Sequence, residues 1–578
     1  MKRKTACFLG IGLTLALLYL PKLPEEQRKT EPAVEFEKMA DLEGYQQAKA
    51  TKSAKDTKKS KISLSYNGKI CNLSNEALFL GENRTLMIPE QVLRDQFYFS
   101  AHMYQKKTME LERGQIRVTI RKNKNQILVK KNGKTSKIAV KKPLQSMRGT
   151  YYISSEVLRL AFDFSYEWNE EQYMAVIRSE NGKRSNLPAS YDYRKRKRAP
   201  KVYDQGEYGT CWAFASLTAL ESSLLPEERM QFSKEHMVLG NSFSTTMNSG
   251  GDYVMSLAYL TAWQGPVLAS QDAYGDQVTP RNLKASKHLQ EAQIVRKKKL
   301  NEIKEMVYRY GGVQSSLYTS LTNSDSASVY YNRKKAAYCY RGKKKANHDV
   351  VIIGWDDHYP KENFTKKVKK DGAFICRNSW GSEFGDRGDF YVSYYDSNIG
   401  VHNLVYTKVE DKKNYDRIYQ TDQCGWVGKL GYSGQDDAYF SNVYQAKEKE
   451  KIQAVGFYAP SRHAEYEVYV CENFKSKKSL SGYKKVRAQG TFTNAGYYTV
   501  KLEEPVTIKK GRKFAVIVYL KTPGHTKPIA IEYKNDLQTK NVDLSDGEGY
   551  YSLKGSSWNR AEKEKFNICL KAYADRIK

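Results

Sequence analysis

Hydrophobic positions along the chain follow three patterns. From about Ile62 to Ser179 they form short alternating runs such as Ile116-Arg-Val-Thr-Ile120 and Gln126-Ile-Leu-Val129, the period of half-buried strands. Thr85–Ser100 (TLMIPEQVLRDQFYFS) and Thr150–Ser165 (TYYISSEVLRLAFDFS) share Thr, Ile, Val, Leu, Arg, Phe, Phe and Ser in register, 65 residues apart (150 minus 85). Each copy predicts a strand, a short amphipathic helix and a second strand, so residues 61–180 should form a duplicated small α+β unit. In the second pattern, Cys211 to about Leu225 is apolar and helix-favouring, while Val350-Val-Ile-Ile353 predicts a buried strand. The third runs from residue 415 to 578: Val455-Gly-Phe-Tyr458, Tyr466-Glu-Val-Tyr-Val470, Tyr497-Tyr-Thr-Val500 and Phe514-Ala-Val-Ile-Val-Tyr519. Turn residues such as Asn494-Ala-Gly496 and Lys510-Gly511 separate those strands and long helical patterns are absent, which predicts an all-β sandwich. Polar stretches at 25–60 and 408–415 read as a flexible spacer and a linker.

Composition adds a location and a class of partner. The 578 residues exceed what one core organises, so the fold is expected to be multidomain α+β. With 96 Lys and Arg against 64 Asp and Glu, the net charge of +32 attracts anionic polymers. No zinc-finger spacing, RNA-recognition signature or continuous basic helix accompanies it, which sets nucleic acid aside and favours an anionic cell-wall polymer or glycan. Lys2-Arg-Lys4 followed by an apolar run from Ala6 to Leu20 fits a signal peptide, and residues 1–24 are assigned to it. No small-x-small cleavage site follows, so an uncleaved membrane anchor is the alternative, and the chain is expected to be secreted or held at the cell surface. The eight cysteines lie far apart, without a disulfide framework, a CxxC pair or a metal-ligand spacing; neither metal nor cofactor is expected. The basic run Arg194-Lys-Arg-Lys-Arg198 reads as a solvated surface strand, or as a processing site or acidic-polymer contact.

One cysteine stands in chemically purposeful surroundings. Asp204-Gln-Gly-Glu-Tyr-Gly-Thr-Cys-Trp-Ala-Phe-Ala-Ser216 runs from a glycine-rich turn into the apolar stretch. Cys211 should therefore open a helix, where free N–H groups and the helix dipole favour a thiolate. Gln205 lies on the turn, where its amide can join the Cys211 N–H in holding an oxyanion. His348 opens the β-branched run Asp349–Ile353, and Asn378 follows another strand in Phe374-Ile-Cys-Arg-Asn-Ser-Trp-Gly381. Asn378 is expected to accept the far N–H of His348, with Trp380 shielding that bond. Strand alternation turns the Asp349 side chain away from His348, which makes Asn378 the better partner.

Gln-Gly-x-x-Gly-x-Cys-Trp-Ala-Phe, then Asn-His-x-Val, then Asn-Ser-Trp-Gly is similar to the pattern of the papain family of cysteine peptidases. The 137 residues between Cys211 and His348 (348 minus 211) fall within that family's roughly 130–150. Leu187-Pro-Ala-Ser-Tyr-Asp-Tyr-Arg194 resembles the start of its mature domain, so residues 187–407 are expected to be a two-lobed papain-like peptidase. The resemblance implies Cys211 as nucleophile, His348 as its base, Asn378 as the orienting residue and Gln205 as oxyanion donor. It also implies an extended peptide or protein substrate lying along Gly250 and Gly251, with Trp380 on the same side. Residues 61–180 resemble the stalk domain of copper amine oxidases, which implies a spacer and not copper chemistry. Residues 415–578 resemble the lectin-like domain of bacterial surface peptidases, which implies sugar binding. Tyr208 stands where the family usually has a disulfide cysteine, and a charged insertion near Lys361–Lys370 is expected to form a flap by the cleft. Two other functions remain open: an envelope adhesin with a silent peptidase fold, and a transpeptidase.

Overall fold

The computed structural model describes residues 32–38, 62–71, 73, 77–147, 149–179, 187–483 and 485–577. The N-terminal apolar run lies outside them. Among the described residues no helix is long and apolar enough to cross a membrane.

In the N-terminal unit each repeat copy is a strand, a helix and a strand. Leu86–Pro89, α1 (Glu90–Asp95) and Ser100–Tyr104 form one copy. Thr150–Ser154, α2 (Ser155–Phe162) and Phe164–Asn169 form the other. Their first strands pair antiparallel, Ile153 opposite Ile88, so the matched Val92, Leu93, Val157 and Leu158 enter one core. The matched phenylalanines interlock edge to face, Phe99 on Phe162 at 4.7 Å and Phe97 on Phe164 at 6.1 Å. Such pairs add about 0.5–1.5 kcal/mol beyond the area they bury. Duplication stabilises this unit because each copy's apolar face is the other's partner.

The central unit holds α3 (Cys211–Leu224), α4 (Lys234–Leu239), α5 (Tyr253–Thr261) and α6 (Leu300–Arg309). Because α3 is apolar on every face it is buried on nearly every face, with Trp212, Leu217 and Leu220 in the main core. The strand His348–Asp356 lies between Val313–Leu317 and Ala373–Arg377, both antiparallel to it. This sheet does not stop at the unit's edge. Lys287–Arg296 pairs with Ala495–Ile508, Gln293 opposite Gly496, and the sheet continues into the C-terminal unit for 13 strands in all. A Cβ on Gly496 would stand 2.0 Å from the Ala292 carbonyl oxygen. The glycine that read as a turn signal is what lets two units share a ladder. The strand His402–Asp411 likewise extends into the stretch read as linker.

The C-terminal unit closes over a second core with a six-stranded sheet. Onto it docks a strand from the stretch read as spacer: Val34–Lys38 pairs antiparallel with Gly428–Tyr432. Its alternation explains the fit. Phe36 packs edge-on to Phe566 at 5.6 Å, while Glu37 meets Lys429 at 3.4 Å and Glu35 meets Lys527 at 3.2 Å.

The basic run departs from the expected surface strand. Tyr193–Arg196 is a 3-10 turn built into the contact between the N-terminal and central units. Arg194 pairs with Asp192 at 2.9 Å and Asp386 at 2.8 Å, and Arg196 pairs with Glu112 at 2.8 Å. Arg198 is fully buried, donating to the Tyr191 hydroxyl at 3.1 Å and the Tyr310 carbonyl at 2.8 Å. A buried guanidinium needs its donors occupied, and one of these partners, Tyr310, comes from the distant end of α6, which the sequence pattern does not reveal.

Candidate active site

Cys211 is the first residue of α3, as the apolar run predicts. Thr210, at the cap position, makes no side-chain cap; its hydroxyl instead meets that of Tyr274 at 2.7 Å. The Ala213 N–H donates to the Thr210 carbonyl at 3.0 Å, while the backbone N–H groups of Cys211, Trp212 and Asp349 favour the Cys211 thiolate. The Asp349 contact joins the helix start to the residue after His348. Gln314, on the neighbouring strand, ties the same two elements together by donating to the Asp349 carboxylate at 2.8 Å and the Trp212 carbonyl at 3.4 Å.

His348 begins its strand and Asn378 directly follows the next one. Antiparallel pairing brings them together, and His348 Nε2–H donates to Asn378 Oδ1 at 2.7 Å. The Ser379 N–H donates to the same oxygen at 2.9 Å, which fixes the amide's orientation. With Nε2 committed, Nδ1 is the ring nitrogen left for proton exchange. The Trp380 ring lies 4.7 Å from the imidazole, tilted by 31°, and packs edge-on to Phe384. It covers the His–Asn bond from one side.

Gln205 is held from several directions. Its backbone N–H donates to the Ser379 carbonyl at 2.8 Å, and its Oε1 accepts from the Ser379 hydroxyl at 2.6 Å. One amide N–H is used on the Tyr208 carbonyl at 2.8 Å, leaving the second of the two for a ligand oxygen. Gly250 and Gly251 precede α5, Gly250 with φ +65. A Cβ on Gly251 would stand 2.6 Å from the Trp212 ring, so this backbone edge lies directly against the start of α3.

Burial governs the electrostatics. It pushes the Cys211 thiol up to about 12, the Asp349 carboxylate adding to the effect and the backbone N–H groups opposing it. Burial also lowers His348 to about 4, against the hydrogen bond to Asn378. The expected depression of the thiol pKa by the helix N-terminus is therefore outweighed by desolvation. Each charge alone is costly here.

Pattern reading missed Gln314, Ser379 and the role of Asp349. The Asp349 side chain accepts from Gln314 and Ser316 and not from His348, while burial raises its carboxyl to about 6. Ser379 sits inside the Asn-Ser-Trp-Gly run without having been singled out, and Gln314 carries no motif; only strand register brings Gln314 to Asp349 and to the first turn of α3. The charged insertion is not a free flap. Phe364 and Val368 bury with Tyr359, Cys339 and Ala337 in a small core of their own. The seven described cysteines are all free, and the described residues contain no cluster of His, Cys, Asp and Glu able to hold a metal.

The papain family cysteine protease profile matches residues 187–409, and the lectin-like domain profile matches 418–574. Cathepsin K of Mus musculus is 30% identical over 230 residues, 38% of this chain and 64% of that protein. Cathepsin K of Gallus gallus is 29% identical over 212 residues, 35% and 58% of the two chains. The chain thus spans about three-fifths of the length of these relatives. A solved structure of the clostridial cysteine protease Cwp84 after propeptide cleavage shares 24% identity at a TM-score of 0.59, covering 67% of this chain and 99% of that one. The cysteine protease and lectin-like domains of Cwp84, a surface layer associated protein of Clostridium difficile, match with the same two values over 68% and 89%. That likeness covers the fold of the two units together.

Proposed function

We propose that this chain, which carries a papain-family cysteine protease domain followed by a lectin-like domain, is an exported cysteine peptidase acting at the cell surface. The observation that carries the reading is the 2.7 Å bond from His348 Nε2 to Asn378, which leaves Nδ1 to serve a cysteine at a helix start. Cys211 passes its proton to Nδ1 as its sulfur attacks a peptide carbonyl, forming the C–S bond. The Cys211 N–H and the free N–H of the Gln205 amide hold the oxyanion. The imidazolium protonates the leaving amine as the C–N bond breaks. His348 then takes a proton from the water that cleaves the thioester, and restores it to the sulfur. Gly250 and Gly251 hold the extended substrate and Trp380 keeps water from the His–Asn bond. Lys2–Lys4 with the apolar run, and the surface-layer association of Cwp84, support export.

The test is labelling with an epoxide inactivator selective for activated thiols, mapped by mass. One adduct at Cys211, lost in His348→Ala, is the expected result. Cys211→Ala abolishes peptide cleavage, and Gln205→Ala lowers kcat by about 10²–10³, the usual loss for one oxyanion donor. Normal cleavage by both variants would sink the assignment.

A further inference from the structure

On the peptidase reading an extended substrate lies along Gly250 and Gly251, and the residue that follows them is acidic. Asp252 caps α5, its Oδ1 accepting the Val254 N–H at 2.8 Å and the Met255 N–H at 3.2 Å, and it is exposed. A second carboxylate, that of Asp349, is tied to the same helix start. Gln314 joins it to the Trp212 carbonyl, at 2.8 Å and 3.4 Å, while Gly251, next to Asp252, lies against the Trp212 ring. The two acids are close enough to act on one another: burial, and after it the Asp252 charge, raises the Asp349 carboxyl. The phenol of Tyr253, first residue of α5, is raised chiefly by burial and opposed by Arg296, and Asp252 and Asp349 both add to the rise. A single phenol within reach of both carboxylates places them on one side of the helix start.

Among the described residues neither acid has a basic partner. Asp349 is held by Gln314 and Ser316 and Asp252 by backbone N–H groups, and Arg296 acts on Tyr253 and on neither of them. This is an exception in a chain with 96 Lys and Arg against 64 Asp and Glu. Two carboxylates in electrostatic contact repel, and a cation received between them relieves the repulsion together with the desolvation of Asp349. The substrate can bring that cation. The peptide residue whose carbonyl is attacked lies at Cys211, so the residue before it has its backbone at Gly250 and Gly251. Successive side chains of an extended chain point to opposite faces, and this one can turn between the two acids.

We propose that Asp252 and Asp349 give the cleft a preference for lysine or arginine at the residue immediately before the one that supplies the scissile carbonyl. The inference rests on the peptidase reading and narrows its substrate to basic peptides.

The test gives the full chain four fluorogenic peptides that differ only at that residue: lysine, arginine, norleucine and glutamate. Norleucine keeps the aliphatic length of lysine without its charge. The expected kcat/KM for lysine or arginine is at least about tenfold above norleucine, with glutamate lowest. Asp252→Asn, whose amide oxygen can still cap α5, and Asp349→Asn should each shrink the lysine-to-norleucine ratio by about threefold or more. Both peptides meet the same nucleophile, so the ratio is insensitive to a general loss of activity. Asp252→Lys should raise the glutamate peptide above the lysine one. With Cys211 labelling intact, norleucine cleaved as fast as lysine, or a ratio unmoved in both Asn variants, overturns this inference alone. No labelling at Cys211 overturns the peptidase reading and this inference with it.

Discussion

The cleft at Cys211 and the contact around Arg198 both bury ionisable side chains, and they treat them in opposite ways. At the contact, Arg194 and Arg196 have carboxylates within 3 Å and Arg198 has two oxygens at its donors. Their buried donors are met by oxygens, and the Arg196–Glu112 pair joins the N-terminal unit to the central one. In the cleft, Cys211, His348 and Asp349 share a buried site in which none faces an opposite fixed charge. Desolvation then moves each toward its neutral form. Paired burial makes a rigid joint, and unpaired burial makes groups that change protonation readily. The two regions should therefore respond differently to substitution and to pH.

The largest effect is expected at the joint. Arg198→Ala removes two buried hydrogen bonds and leaves a void, for a loss of about 2–4 kcal/mol. Urea unfolding should show a lower midpoint, while the folded fraction still labels at Cys211. Equal stability of variant and parent would break the comparison.

Acid should single out the cleft. His348 has a folded pKa near 4 against about 6.5 unfolded, so between those values only the unfolded chain binds the proton. Its contribution to stability is thus present above about pH 6.5 and lost as pH falls toward 4, by about 2 kcal/mol at pH 5. Replacing it by His348→Gln should make the change in unfolding free energy between pH 7 and pH 5 smaller by that amount. Arg198→Ala should leave the His348 share of this pH dependence alone, while relieving the charge that, after burial, helps hold His102 neutral.

The smallest effect has the opposite sign. Asp349 titrates near 6 folded and about 3.9 unfolded, so the folded chain holds the extra proton between them. Its cost at neutral pH is relieved on acidification, by about 1 kcal/mol at pH 5. Asp349→Asn should abolish that gain. It should also shift the pH profile of Cys211 alkylation downward by about one unit, because a neighbouring negative charge opposing the thiolate is gone. An unchanged alkylation profile would mean that the carboxylate does not act on the sulfur.

Legibility differed along the chain for a physical reason. The helix beginning at Cys211, the strand beginning at His348 and the Asn378 bond to it were readable because each depends on local periodicity and on adjacent antiparallel strands. The repeat was readable because its matched phenylalanines pack on one another. By contrast, Gly496 read as a turn, Lys408–Asp411 as linker, Val34–Lys38 as spacer and Arg194–Arg198 as surface. All four lie where separate units touch.

The sequence by itself determined the elements inside each unit, the order of the three units and the residue types around Cys211, since these follow from local spacing. Only the tertiary structure decided which charges are buried, how far the thiol and imidazole are desolvated and what lines the junction. Those depend on side chains brought together from hundreds of residues apart, for which no local pattern exists.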